Sequence, residues 1–234
     1  MDASHLLGLL ADTLARIDGD MTLAARLCRA CVEILGAEGG ALTVSPSPDE
    51  RLVVSTSDGM SARIEDLQEV LGEGPAQLAL EQDRLVVMPI DGARADAFPV
   101  FAQMVRSIGG PITAYAVPMR VHGTVMGVLS LYTTDARLSR DLVDAQFLAD
   151  AVGTSLLDDT EPIDWSTQAR IHQAAGMVTA QLRIPPADAI AVLRAHAFAR
   201  SSTLQDVVDD VLDHRLDFTH DDTSDDQTER TEEP

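Results

Sequence analysis

A chain of 234 residues, 45% of them hydrophobic, has enough apolar material for one large domain or two modest ones with packed cores. Its 17 basic against 38 acidic residues give a formal charge of −21, which repels polyanions at long range and excludes a nonspecific nucleic-acid binder. No apolar run reaches the roughly 18 residues of a membrane span, and the N-terminus is acidic where a signal peptide would be basic, so a cytoplasmic protein with no membrane partner is expected.

Leu6, Leu7, Leu10 and Leu14 recur at helical spacing between Ser4 and Ile17, and a second helix carries Ala24, Leu27, Cys28, Cys31, Ile34 and Leu35 on one stripe. Gly36, Gly39 and Gly40 stop that helix, and "GALTVSP" and "RLVVST" read as strands on either side of a Ser-Pro-rich turn. A loop follows at Gly72-Glu73-Gly74-Pro75, then a short helix to about Glu81 and a strand from Arg84 to Met88. Residues 97–108 read as helix, and "ITAYAVPMRVHGTVMGVLSLYTTD" reads as two strands joined at His122-Gly123, a hairpin signal. An amphipathic helix from Ser139 to about Asp158 should turn Leu142, Val143, Phe147, Leu148, Ala151, Val152 and Leu156 inward. These elements predict an α+β domain over residues 1–158, an antiparallel sheet flanked by helices.

The composition changes at "DTEPIDWSTQ", so 159–165 reads as a linker and 166–218 as a small all-α domain of three helices. The first buries Ile171, Ala174, Ala175, Val178 and Leu182; "RIPPAD" breaks it, with the prolines suited to the first turn of the next helix. The second buries Ile190, Leu193 and Ala197, and the third, after a capping-box arrangement at 202–206, buries Leu204, Val207, Val208 and Val211. The tail 219–234, with seven acids and one arginine, cannot bury enough surface to order itself and is expected to be disordered.

Signals for covalent or metal chemistry are few. Cys28 and Cys31 lie on the apolar stripe of a helix, which favours core packing over a redox or metal pair, since a nucleophilic thiol needs an exposed electropositive setting. The six histidines show no metal-ligand spacing, and "GEGP" lacks the Lys-Ser/Thr of a phosphate loop. The expectation is a non-enzyme with no metal and no cofactor. A thiol enzyme is the rival, which Cys-to-Ser changes would test.

The loop and helix "GEGPAQLAL", the strand "RLVVMPI", the helix "FPVFAQMVRSIGG" and above all "AVPMRVHGTVMGVLSLYTTD" occur in an order that resembles the GAF family of sensory domains. The resemblance implies a cup between sheet and covering helices that takes a small ligand or chromophore, or a domain used only to dimerise. Met88, Phe98, Phe101, Met104 and Tyr115 are the candidates to touch a small ligand of unknown identity; core packing is the other reading of the same residues.

The second domain is similar to the ANTAR family of RNA-binding antitermination modules, through Arg170, Ile171, "QAAGMV", the break at 183–186, "AIAVLRAHAFAR" and "LQDVVDDV". The resemblance implies binding of paired hairpins in structured leader RNA, with Arg170, Gln173, Ala174, Gly176, Met177, Arg194, Ala197 and Arg200 as the RNA-binding set. Ala175 stands where the family often has a lysine, which removes one phosphate contact. Arg170, Gln173, Met177 and Gln181 form a second stripe apart from the core face, Gly176 permits close approach, and arginine planes suit stacking on splayed bases. A solvated face, with Gly176 serving helix packing, is the competing reading. Five arginines, six aspartates and no lysine in 166–218 predict weak, loop-focused binding that gains from two sites on a homodimer. The expected protein is a dimeric antitermination regulator whose 139–158 helix passes the signal. A protein-interaction or dimerisation regulator without RNA binding is the alternative, and DNA binding is disfavoured by the outward Asp206, Asp209, Asp210 and Asp213.

Overall fold

The computed structural model describes residues 2–47, 50–91, 97–135, 137–159 and 166–218. Two compact units meet in the sequence at Trp165 and Ser166. Residues 48–49 of the expected Ser-Pro-rich turn, residues 160–165 of the expected linker and the acidic tail 219–234 lie outside the described residues.

The first unit opens with α1 (Ala3–Arg16) and α2 (Leu23–Leu35). The Thr22 hydroxyl caps α2 by accepting from the Ala25 amide, and Gly36 ends it in the left-handed conformation at φ 67°. Five strands follow: β1 (Gly39–Ser47), β2 (Glu50–Thr56), β3 (Val86–Ile90), β4 (Ile112–Val121) and β5 (Thr124–Thr133). They form one sheet in the order β2-β1-β5-β4-β3, with every neighbouring pair antiparallel. His122 and Gly123 both have positive φ, 51° and 81°, the geometry a two-residue hairpin turn requires between twisted strands. The helices α3 (Gly59–Leu71), α4 (Pro75–Gln82), α5 (Pro99–Gly109) and α6 (Leu142–Leu157) complete an α+β fold.

The sheet is covered on both faces. On one, α2 and α6 enclose an apolar core of Leu27, Cys28, Cys31, Leu42, Leu129, Leu131, Leu148 and Val152, and α1 packs on both helices. On the other, α3, α4 and α5 cover Ile64, Ile90, Phe101, Val105 and Ala114, together with a smaller group of Ala76, Ala79, Val86, Ala116 and Val128. Among the described residues no helix is long and apolar enough to cross a membrane.

Three sequence expectations change. The helix α3 was not anticipated, and β3 begins and ends two residues later than expected. In α6 the inward face is rotated: Leu142 and Val143 are 41% and 77% exposed and Phe147 and Ala151 only half-buried, while Asp144, Ala145, Ala149 and Gly153 turn inward. Small residues let the helix approach β4, since a Cβ on Gly153 would already stand 3.2 Å from Met119 Cβ, so the large side chains are displaced outward.

The second unit is three helices, α7 (Ser166–Leu182), α8 (Pro186–Arg200) and α9 (Leu204–Leu212), each packed on the other two. Its core holds Ile171, Ala174, Ala175, Val178, Ala189, Leu193, Ala197, Leu204, Val207, Val208 and Val211. Ile190 is half-buried, against expectation, because Ala189 and Leu193 fill the inner face of α8, and Leu182, expected inside, is exposed as the last residue of α7. The capping box at Thr203 and Asp206 is present, and Pro186 starts α8 as predicted.

Candidate functional site

The sheet face beneath α3 carries an interior polar cluster. Thr43 on β1, Arg51 on β2, and Ser130 and Tyr132 on β5 point to this face, and α3 lowers Glu65 and Gln68 onto them. Glu65 is 1% exposed: its Oε1 accepts the Tyr132 hydroxyl at 2.7 Å, and its Oε2 accepts Gln68 Nε2 at 3.1 Å and Arg51 Nη2 at 3.3 Å. Burial first, and the Glu65 charge second, push the Tyr132 phenol well above its ordinary range, so it stays a donor. Gln68 Oε1 accepts the Ala76 amide at 2.8 Å and so ties the start of α4 to α3. The register of α3 is set by Asp58, whose Oδ1 accepts from Met60 N at 2.8 Å and Ser61 N at 2.9 Å. Burial works against that carboxylate, but these bonds and those from the Ser57 and Ser61 hydroxyls hold it below its usual range.

Of the expected ligand-touching residues, Met88, Phe98 and Phe101 gather in the apolar part of this face with Ile64 and Tyr132, and Met104 is half-buried on α5. Tyr115 does not join them. Strand alternation turns it to the opposite face, into the core under α2 and α6 with Val117 and Leu131. Phe101 is fully buried, so it serves as core in this conformation. An open groove of about 480 Å³ lies elsewhere, along α6, lined by Leu85, Leu142, Val143, Gln146, Phe147 and Asp150.

Both thiols sit in the apolar core. Burial pushes Cys28 up to about 12 and Cys31 higher still, so neither is a thiolate in the native protein. Among the described residues no group of three or more His, Cys, Asp or Glu is placed to hold a metal.

In the second unit, Gln173 and Gly176 are exposed on α7 and Met177 is half-buried beside them. Nothing would stand within 4 Å of a Cβ on Gly176, so its open side faces free space and it serves no close helix contact within this unit. Ala174 and Ala197, both in the expected set, are fully buried in the helix seams, where they set the packing distance. The arginines are engaged as well. Arg170 Nη2 pairs with Asp209 Oδ1 at 2.7 Å, Arg200 Nη1 with Asp210 Oδ2 at 3.1 Å, and Arg194 is half-buried. Hydrogen bonds from Arg215 and then Arg200 hold the Asp210 carboxyl below its usual range. Gln181 leaves the stripe by accepting the Phe218 amide at 3.3 Å, and Phe218 stands edge-on to His196 at 5.4 Å.

The sequence profile of the GAF domain matches residues 21–156, more than half of the chain. The chain belongs to the GAF family. No curated protein matches it. Solved structures similar to it include the GAF domain of A. aeolicus nlh2 in an inactive state, at 16% identity over 66% of this chain and 92% of that one, TM-score 0.42. Two others are GAF domains of phosphoenolpyruvate-protein phosphotransferases. That from Coxiella burnetii is 15% identical over 67% of this chain and 95% of that one, TM-score 0.45. That from Acinetobacter is 14% identical over 70% of this chain and 100% of that one, TM-score 0.44. The GAF domain thus holds a polar cluster that no apolar or aromatic pattern in the sequence marks. The one signal available was "RIEDLQEVLGEGP", where Glu65 and Gln68 stand a helical turn apart just before the glycine loop.

Proposed function

We propose that this chain is a cytoplasmic transcription antitermination regulator, in which the GAF domain senses a small ligand and the three-helix unit binds paired hairpins in leader RNA. The observation that carries this reading is α7: its 17 residues include no Asp or Glu in a chain of charge −21, and its open side presents Gln173 and Gly176. Amide side chains read the edges of splayed bases, and a bare backbone admits their close approach. The pairs Arg170–Asp209 and Arg200–Asp210 are partly exposed, so an RNA phosphate exchanges with a carboxylate instead of meeting a free guanidinium. Binding is therefore weak, salt-sensitive and strengthened by two sites on a homodimer. The exposed Leu142, Val143 and Leu157 make α6 the face for the second copy, and a ligand acts by favouring one packing of that helix over another.

The same ion pairs support a second reading, a protein-interaction regulator whose acidic α9 keeps polyanions away. Recovery of RNA crosslinked to the full-length protein in its own cells separates the two. Leader RNAs with two nearby hairpins, enriched by the wild type and lost in Gln173→Glu, support antitermination. No RNA above background in the wild type leaves the protein-interaction reading.

A further inference from the structure

The cluster beneath α3 has donors to spare and no spare carboxylate. Both Glu65 oxygens are engaged by Tyr132, Gln68 and Arg51. Arg51 is the opposite case: its side chain is 9% exposed, its contact to Glu65 is 3.3 Å, long for a charge-assisted bond, and its Nη1 is buried with no partner among the described residues. The Thr43 hydroxyl is also buried without a partner. Register brings the two together. Thr43 stands opposite Val53 on β2, so Arg51 lies two residues along on the same face, diagonal to Thr43; Ser130 lies diagonal to it on β5, opposite Ala41. A guanidinium with an unmet donor inside a protein is strongly disfavoured, and groups left in this way mark a place where something else supplies the acceptor.

We propose that Arg51 and Thr43 are the anchor for a small carboxylate ligand held between α3 and the sheet, one oxygen accepting from Arg51 Nη1 and the other from Thr43 Oγ1. A carboxylate suits a guanidinium and a hydroxyl on neighbouring strands, whereas a cation would meet Arg51 and be repelled. Since β2 is an edge strand, Arg51 stands at the open side of the sheet. The ligand touches the guanidinium that pairs with Glu65, so its arrival alters the hold of α3 on β2 and β5. This assignment rests on the sensor half of the proposed function and is independent of the RNA half.

The test uses formate, the smallest carboxylate, on the full-length protein. Thermal midpoints are measured across a series of sodium formate concentrations and in sodium chloride of equal ionic strength, for wild type, Arg51→Gln and Thr43→Val. The wild type gains a saturable increase in formate beyond chloride, Thr43→Val needs about tenfold more formate for the same gain, and Arg51→Gln gains nothing. Thr43→Val replaces a partnerless hydroxyl by a methyl group of the same shape and keeps the fold, so the test stands even where Arg51→Gln does not fold. A wild-type formate curve that superimposes on chloride overturns the proposal, as does a full response in Thr43→Val. Either failure alongside recovered leader RNA removes this anchor and leaves the regulator reading intact; a formate response without RNA does the reverse.

Discussion

The two faces of the GAF sheet are equally buried and built on opposite terms. Under α2 and α6 the core is built of apolar side chains, and even the two thiols are held protonated. Under α3 a carboxylate, a guanidinium, an amide and a phenol lie at the same depth, each depending on another for its charge or hydrogen bond. The first face gains stability from volume and excluded water. The second gives up part of that gain to keep groups able to recognise something, because a buried ion pair seldom stabilises more than apolar residues of equal size.

The comparison breaks most sharply at Glu65. Glu65→Ala should cost about 3 to 5 kcal/mol in urea unfolding because it strands Arg51, and adding Arg51→Met to Glu65→Leu should recover most of that loss. A double variant as unstable as Glu65→Ala would show that the pair itself stabilises the fold. On the dry face, Leu148→Ala should cost about 3 kcal/mol through its cavity, whereas Leu148→Met should stay under about 1.5 kcal/mol, since only shape is at stake there. Alkaline pH separates the faces further. Cys28 has a folded pKa of about 12 against an ordinary 9.0, so the folded state keeps a proton that the unfolded state loses. Stability is full below pH 9 and falls above it by about 1.4 kcal/mol per pH unit for each such thiol, until pH passes the folded value. Tyr132 adds a loss of the same sign from its ordinary 10.0 upward. Unfolding midpoints from pH 8 to 11 should show the earlier onset vanish in a Cys28→Ala, Cys31→Ala double variant while the later one persists. The smallest effect is expected at Thr43→Val, a gain of under about 1 kcal/mol in ligand-free buffer; a clear loss would mean that the hydroxyl is already satisfied.

The same contrast explains what could be read in advance. Strands whose inner residues are apolar, such as those on either side of His122-Gly123, announced themselves by alternation, and α2 did so by its stripe. The helix α3 did not, because two of its most buried side chains are Glu65 and Gln68, and a helix with polar residues inside has no clean periodicity. In α6 the bulky residues looked like the core, yet Ala145, Ala149 and Gly153 are what allow it near the sheet; size in a sequence does not say which face needs room. On α7 the exposed Gln173 and Gly176 were legible as a polar stripe, but the carboxylate partners of Arg170 and Arg200 come from α9, about ten to forty positions away, a pairing that no local pattern encodes.

Gln68 gives the first unit a mechanical property. Its Oε1 holds the first turn of α4, and a Cβ on Gly74 would fall 2.6 Å from the same oxygen, so the short connection at 72–74 is a weld and not a hinge. The helices α3 and α4 therefore move as one lever, with one end on the β1 and β2 edge and the other on β3 and β4. The β1 and β2 edge where Arg51 stands is thereby joined to the far side of the sheet through a hydrogen-bonded pair of helices and not through a slack loop.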